Sequence, residues 1–175
     1  MNSVIPAAPV RHHITQGEYR VGQGDGGSIT TILGSCIAAC LYDSVSNFGG
    51  INHFLVPDSS DSNAPPASFG VHAMELLIND LIKLGATRSR LKAKVFGGAR
   101  MIAGLTDIGA KNGEFVMNFL KRESIECTGH SLGGTQARRV EFWPETGRAR
   151  QKFLGEAAIQ PVVQHVLRAN DVELF

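Results

Sequence analysis

No two cysteines of this 175-residue chain stand in a C-x-x-C arrangement, and none has the spacing of zinc ligands. Three of them, Cys36, Cys40 and Cys127, make an odd number, which excludes a complete disulfide framework. Charge of one sign is equally scarce. With 17 basic and 16 acidic residues the formal net charge is +1, so nothing points to nucleic acid as a partner. The basic residues between Arg138 and Lys152 alternate with Glu141, Glu145 and apolar positions, as on the solvated faces of strands. No apolar run approaches the roughly twenty residues of a membrane span. The opening residues lack the basic segment and apolar core of a secretory signal. The chain is therefore expected in the cytoplasm, with reduced thiols and no membrane insertion. Internal repeats and low-complexity blocks are missing too. "GQGDGG" is followed by neither a helix nor the Lys-Ser/Thr pair of a phosphate loop.

What is present is a set of short elements. Residues 1–16, with Pro6, Pro9 and adjacent His12-His13, read as a flexible N-terminal arm. "GEYRVGQ", "SITTIL", "CIAACLYD" and "INHFLVP" read as strands joined by Gly-rich turns, forming a local β cluster. "FGVHAMELLINDLIKLGA" carries a wide apolar stripe at helical spacing and stops at Gly85. "RLKAKVFGGARM" reads as a strand entering a Gly-Gly turn. "KNGEFVMNFLKRESI" reads as a second helix capped by Asn112. The region from Ile125 reads as strands with a hairpin at "PETGR", and residues 155–175 as a C-terminal extension, a weak helix or a tail. This order lacks regular β-α alternation, so the fold class expected is α+β. No apolar stripe is left over after the core is filled, which predicts a monomer.

The chemistry gathers at "TTILGSCIAAC", residues 30–40. Cys40 and Cys127 lie within apolar or strand patterns and read as small buried hydrophobes. Cys36 instead follows a Gly-Ser corner, where glycine allows close backbone approach and amides can face an oxyanion. A free thiol is mostly protonated at neutral pH and needs a base to act as nucleophile. His53 lies seventeen residues on, in a strand that folds back toward Cys36. His72 and His130 are competitors for that role. A polar group orients the histidine in many such dyads, and Thr30 and Thr31 precede the corner. Alternation puts one of them on a given face without saying which. "GHSLGG" superficially matches a serine elbow, but a strand pattern follows it instead of a helix.

"TTILGSCIAACLYD" followed by "GGINHFLVP" resembles the CheD family, the chemoreceptor glutamine deamidases of chemotaxis. The resemblance runs on through "FGVHAMELLINDLIKLGA", "LKAKVFGGARM", "DIGAKN" and "GGTQARRVEF", over roughly residues 17–154. It implies a layered α/β/β sandwich, similar to the deamidase domain of cytotoxic necrotizing factor toxins. Cys36 is then the nucleophile, His53 the general base and Thr30, six residues before the cysteine, the orienting hydroxyl. The implied reaction is hydrolysis of glutamine side chains to glutamate on methyl-accepting chemotaxis receptors, with no metal or organic cofactor. A CheC-type phosphatase is implied as a further partner. Two other readings of the same residues are a docking module that binds receptors or such a phosphatase without catalysis, and a redox sensor acting through Cys36.

Overall fold

The computed structural model describes residues 8–57, 66–104, 106–155 and 172–175. Among the described residues, ten strands and two α-helices follow one another. They are β1 (Arg11–His13), β2 (Tyr19–Gln23), β3 (Ser28–Leu33), β4 (Ile37–Asp43), β5 (Phe48–Phe54), α1 (Pro66–Leu84) and β6 (Lys92–Gly97). After these come α2 (Ile108–Arg122), β7 (Glu126–Leu132), β8 (Arg138–Trp143), β9 (Arg148–Phe153) and β10 (Val172–Leu174).

Two five-stranded sheets result. The middle sheet runs β2-β5-β4-β6-β7 and the outer sheet β1-β3-β8-β9-β10. The pairings β1–β3 and β6–β7 are parallel and the others antiparallel. Parallel strands need a long crossover, and α2 supplies it between β6 and β7. Strand β4 explains why the sequence "IAACLYD" carries almost no charge, since all seven residues are buried. Ile37, Ala39 and Leu41 point toward the helices, where Met74, Leu77, Ile78 and Leu81 of α1 and Val116, Phe119 and Leu120 of α2 meet them. Ala38, Cys40 and Tyr42 point the other way, against Ile29, Leu33, Val140, Phe142 and Ala149 of the outer sheet. The molecule is thus α+β in class, with helices, middle sheet and outer sheet stacked in that order.

The expected local β cluster divides between the two sheets. β3 belongs to the outer sheet, and β2, β4 and β5 to the middle one. The break falls at Gly34-Ser35-Cys36, where the chain leaves one sheet and enters the other. Part of the segment expected as a loose arm, Arg11–His13, is strand β1 on the edge of the outer sheet. From the expected extension, Val172–Leu174 pairs with β9, while residues 156–171 lie outside those described. Asn112 is not the cap of α2. The helix begins a turn earlier, with Asp107 accepting from the Ala110 amide, and Asn112 is fully buried within it.

Gly85 ends α1 as expected, at φ +121°. Gly97, at φ +116°, lies so close to the next strand that a Cβ there would overlap the carbonyl oxygen of Cys36. The Gly-Gly turn therefore lets β6 support the corner that carries the thiol.

Candidate active site

The corner is held from behind by its carbonyls. Gly34 O accepts from the Ala99 amide at 3.0 Å, and Cys36 O from the Gly98 amide at 2.9 Å. Between them, Ser35 O accepts from Asn112 Nδ2 at 2.8 Å. In a trans peptide the N–H of one residue points opposite to the C=O of the residue before it. Fixing the carbonyls of Gly34 and Ser35 inward therefore aims the amides of Ser35 and Cys36 outward, away from the β6–α2 side. Asn112 also accepts from the Val56 amide at 3.0 Å, so one buried carboxamide joins the cysteine corner to the chain just after β5.

Cys36 is half-buried and packs partly against the cluster between the sheets. Burial raises its thiol above the usual value, against the lowering effect of its own backbone amide. Its Sγ–H donates to Gln16 Oε1 at 3.4 Å.

His53 lies on β5 directly opposite Ala38 of β4, and Ala38 is two residues beyond Cys36. Side chains two apart share a face, and opposite partners share it too, so His53 is the diagonal neighbour of Cys36. Its side chain sits on the face toward the outer sheet, 6% exposed. Burial first, then the nearby His13, push its pKa down to about 4, with Glu18 acting in the opposite direction. At neutral pH the resting pair is therefore uncharged on both sides, thiol and imidazole.

A third group settles which ring nitrogen carries the proton. Thr31 Oγ1 lies 2.8 Å from the carbonyl oxygen of Ile14 and 2.7 Å from His53 Nδ1. The hydroxyl has one proton and a carbonyl can only accept, so that proton goes to Ile14. Oγ1 then accepts from His53 Nδ1–H, which leaves Nε2 with its lone pair free.

Thr30, which the resemblance placed in this role, is on the opposite face. Its Oγ1 donates to Val140 O at 2.9 Å, and its cross-strand partner is Glu141. Glu141 is occupied on that side by Ser28, Arg11 and Arg150. The reason is the period of two along β3: Ile29, Thr31 and Leu33 face the middle sheet, so Thr30 cannot.

His72 on α1 and His130 on β7 are exposed. Ser131, of the serine-elbow look-alike, is a strut: its Oγ accepts from Arg138 Nη1 at 3.1 Å and from Gln151 Nε2 at 2.7 Å. Arg138 also donates to the carbonyls of Ser131 and Gly133, which fixes the Gly133-Gly134 turn. Among the described residues, no three of His, Cys, Asp and Glu converge as a metal site. No helix among them is long and apolar enough to cross a membrane.

Three contributors have roles that the sequence pattern did not assign to them. Thr31 was one of an unresolved pair. Asn112 carried a signal, a carboxamide within an apolar helical pattern. Gln16, in a segment read as an arm, carried none.

A family profile described as CheD chemotactic sensory transduction matches residues 55–153. A protein of Agrobacterium fabrum named probable chemoreceptor glutamine deamidase CheD is 49% identical, over 98% of this chain and 100% of that one. The chain belongs to the CheD family. A relative of the same name from Caulobacter vibrioides is 47% identical, over 97% of this chain and 96% of its own length. Another from Cereibacter sphaeroides is 48% identical, over 93% and 84%. Among solved structures, the Bacillus licheniformis hypothetical protein YfiH matches 59% of this chain and 46% of its own at 13% identity, with a TM-score of 0.39. As a CheD protein, this chain has its cysteine corner and His53 strand outside or only just before the stretch that the profile covers. The full-length relatives span both.

Proposed function

We propose that this CheD protein hydrolyses glutamine side chains of chemoreceptors to glutamate, using Cys36 as nucleophile and His53 as general base. The observation that carries the mechanism is the hydrogen-bond chain from His53 Nδ1 through Thr31 to the Ile14 carbonyl, because it reserves Nε2 as the ring's free proton acceptor. Cys36 Sγ attacks the carboxamide carbon as Nε2 takes the thiol proton. The oxyanion that forms is held by the outward amides of Ser35 and Cys36. The imidazolium gives its proton to the nitrogen, the C–N bond breaks and ammonia leaves a thioester. Nε2 then takes a proton from water and hydroxide adds to the thioester; the C–S bond breaks as the imidazolium returns that proton to sulfur, giving the thiol and a carboxylic acid that ionises to glutamate.

With both groups neutral at rest, proton transfer and attack occur together and no preformed ion pair is required. The role given by resemblance to Thr30 passes to Thr31. The same proposal takes methyl-accepting receptors in the cytoplasm as substrates, the protein as a monomer, a CheC-type phosphatase as a second partner, and a layer order akin to that of cytotoxic necrotizing factor deamidase domains.

The test is a mass-spectrometric map of purified receptor cytoplasmic fragments incubated with wild type or Cys36→Ala. Conversion of a few glutamines to glutamate by wild type alone is expected. Absence of conversion, while a pull-down still captures receptor or phosphatase, would overturn catalysis in favour of docking.

A further inference from the structure

A glutamine deamidase with one of its own glutamines against the nucleophile raises the question of what that glutamine does. Gln16 Oε1 is the partner of the Cys36 thiol, at 3.4 Å. Gln16 is exposed to solvent, yet its backbone is not free to drift. It sits in a turn closed by Glu18, whose carboxylate accepts from the Thr15 amide at 2.6 Å and the Thr15 hydroxyl at 2.9 Å. The Glu18 amide returns a bond to Thr15 O at 3.0 Å. Gly17, at φ +88°, makes the bend and donates to His53 O at 2.8 Å, while Glu18 O accepts from the His53 amide at 3.0 Å. One residue before the turn, Ile14 supplies the carbonyl that takes the Thr31 proton. The segment that carries Gln16 is thus tied to the general base by its backbone and to the tautomer relay by its neighbour.

We infer that Gln16 is a built-in stand-in for the substrate, its carboxamide occupying the place beside Cys36 that a receptor carboxamide must take. The inference rests on the deamidase reading. Gln16 is chemically the same group as the substrate side chain, held in cis beside the sulfur. Accepting the S–H bond also stabilises the thiol over the thiolate and turns its proton toward Oε1 instead of His53 Nε2. An arriving glutamine displaces Gln16 and releases the thiol to the base. The carboxamide therefore contributes to KM by competition and keeps Cys36 quiet between turnovers.

The experiment compares steady-state conversion of a receptor cytoplasmic fragment by wild type, Gln16→Ala and Gln16→Glu, together with the rate at which iodoacetamide alkylates Cys36. Gln16→Ala is expected to lower KM about two- to tenfold, the scale of one neutral hydrogen bond, and to speed alkylation by a similar factor. Gln16→Glu is expected to slow both, because a carboxylate beside the sulfur opposes the thiolate. A fall in kcat at unchanged KM for Gln16→Ala would make Gln16 a donor to the reacting atoms and overturn the stand-in role. Unchanged KM and alkylation would overturn it as well. If wild type converts no receptor glutamine, the deamidase reading itself fails, which is a different result from conversion by wild type without the KM effect.

Discussion

Thr31→Val removes one hydroxyl and keeps the β-branched shape that suits β3. Two bonds disappear with it, from Thr31 to the Ile14 carbonyl and from His53 Nδ1–H to Thr31. Thr31 is fully buried and His53 nearly so, so water cannot easily replace the lost partner. Each buried polar group left alone costs about 1–3 kcal/mol. The variant should therefore lose about 2–4 kcal/mol of stability after the new methyl recovers part by apolar burial.

The chemical effect is separate. Without an acceptor at Nδ1, the Nε2–H tautomer becomes populated, and that form cannot take the thiol proton. A preference of about 1–2 kcal/mol lost from the correct tautomer lowers the rate about five- to thirtyfold. Glutamine conversion on a receptor fragment gives the rate, urea unfolding the stability, and ring-nitrogen NMR of His53 the tautomer. Thr31→Ser, which keeps the hydroxyl, should restore the tautomer and most of the rate. Thr30→Val removes only the bond to Val140 O and should leave His53 in the Nδ1–H form. If Thr30→Val abolishes activity and Thr31→Val keeps both rate and tautomer, the assignment made from the two faces of β3 is refuted.

Two further outcomes are expected. Asn112→Ala strands the Ser35 carbonyl and the Val56 amide and should cost about 2–4 kcal/mol. Asn112→Asp keeps the acceptor for Val56 but sets a carboxylate against the Ser35 carbonyl. It should therefore lower kcat more than KM while preserving secondary structure by circular dichroism. The second outcome concerns pH. Because His53 is held near 4 when folded against an ordinary 6.5, the unfolded chain binds a proton that the folded chain does not over that interval. Stability is then fully present above about pH 6.5 and falls by about 2–3 kcal/mol as pH drops toward 4. Below that, Asp43 takes over. Burial alone would raise it, but Arg90 and the amides of Thr87, Val45 and Ser46 hold it well below the usual carboxylate range. Urea midpoints at several pH values should show both losses, and His53→Gln should erase only the first; an identical profile for the two proteins would contradict the buried neutral imidazole.

Local patterns along the chain determined the kind of each element and the chemistry it carries. The helical stripe from Met74 to Leu81, the apolar run of β4, the glycine ending α1 and the Gly-Ser corner before Cys36 all express short-range constraints. A strand fold-back of seventeen residues was also enough to bring His53 toward Cys36, because neighbouring antiparallel strands pair in register. Parity along a strand is local as well, but which side is inside is not. In "SITTIL" apolar residues occur at both parities, Ile29 and Leu33 at one and Ile32 at the other, so Thr30 and Thr31 look alike until a second sheet covers one face. That cover comes from β4 and β5, and the corner at Gly34 sends β3 into a different sheet from theirs.

The same holds for Asn112. As a polar residue near a helix start it reads as a cap, and only the packing of α2 against the Gly-Gly turn buries it one turn inside the helix, between Ser35 and Val56. Gln16 depends on tertiary structure altogether. Its contact with Cys36 spans twenty positions, and no periodicity encodes a meeting made by two separate turns converging on one edge of the sheets. Hydrophobic pattern specifies what is buried; only the assembled layers decide which polar groups face each other once burial has excluded water.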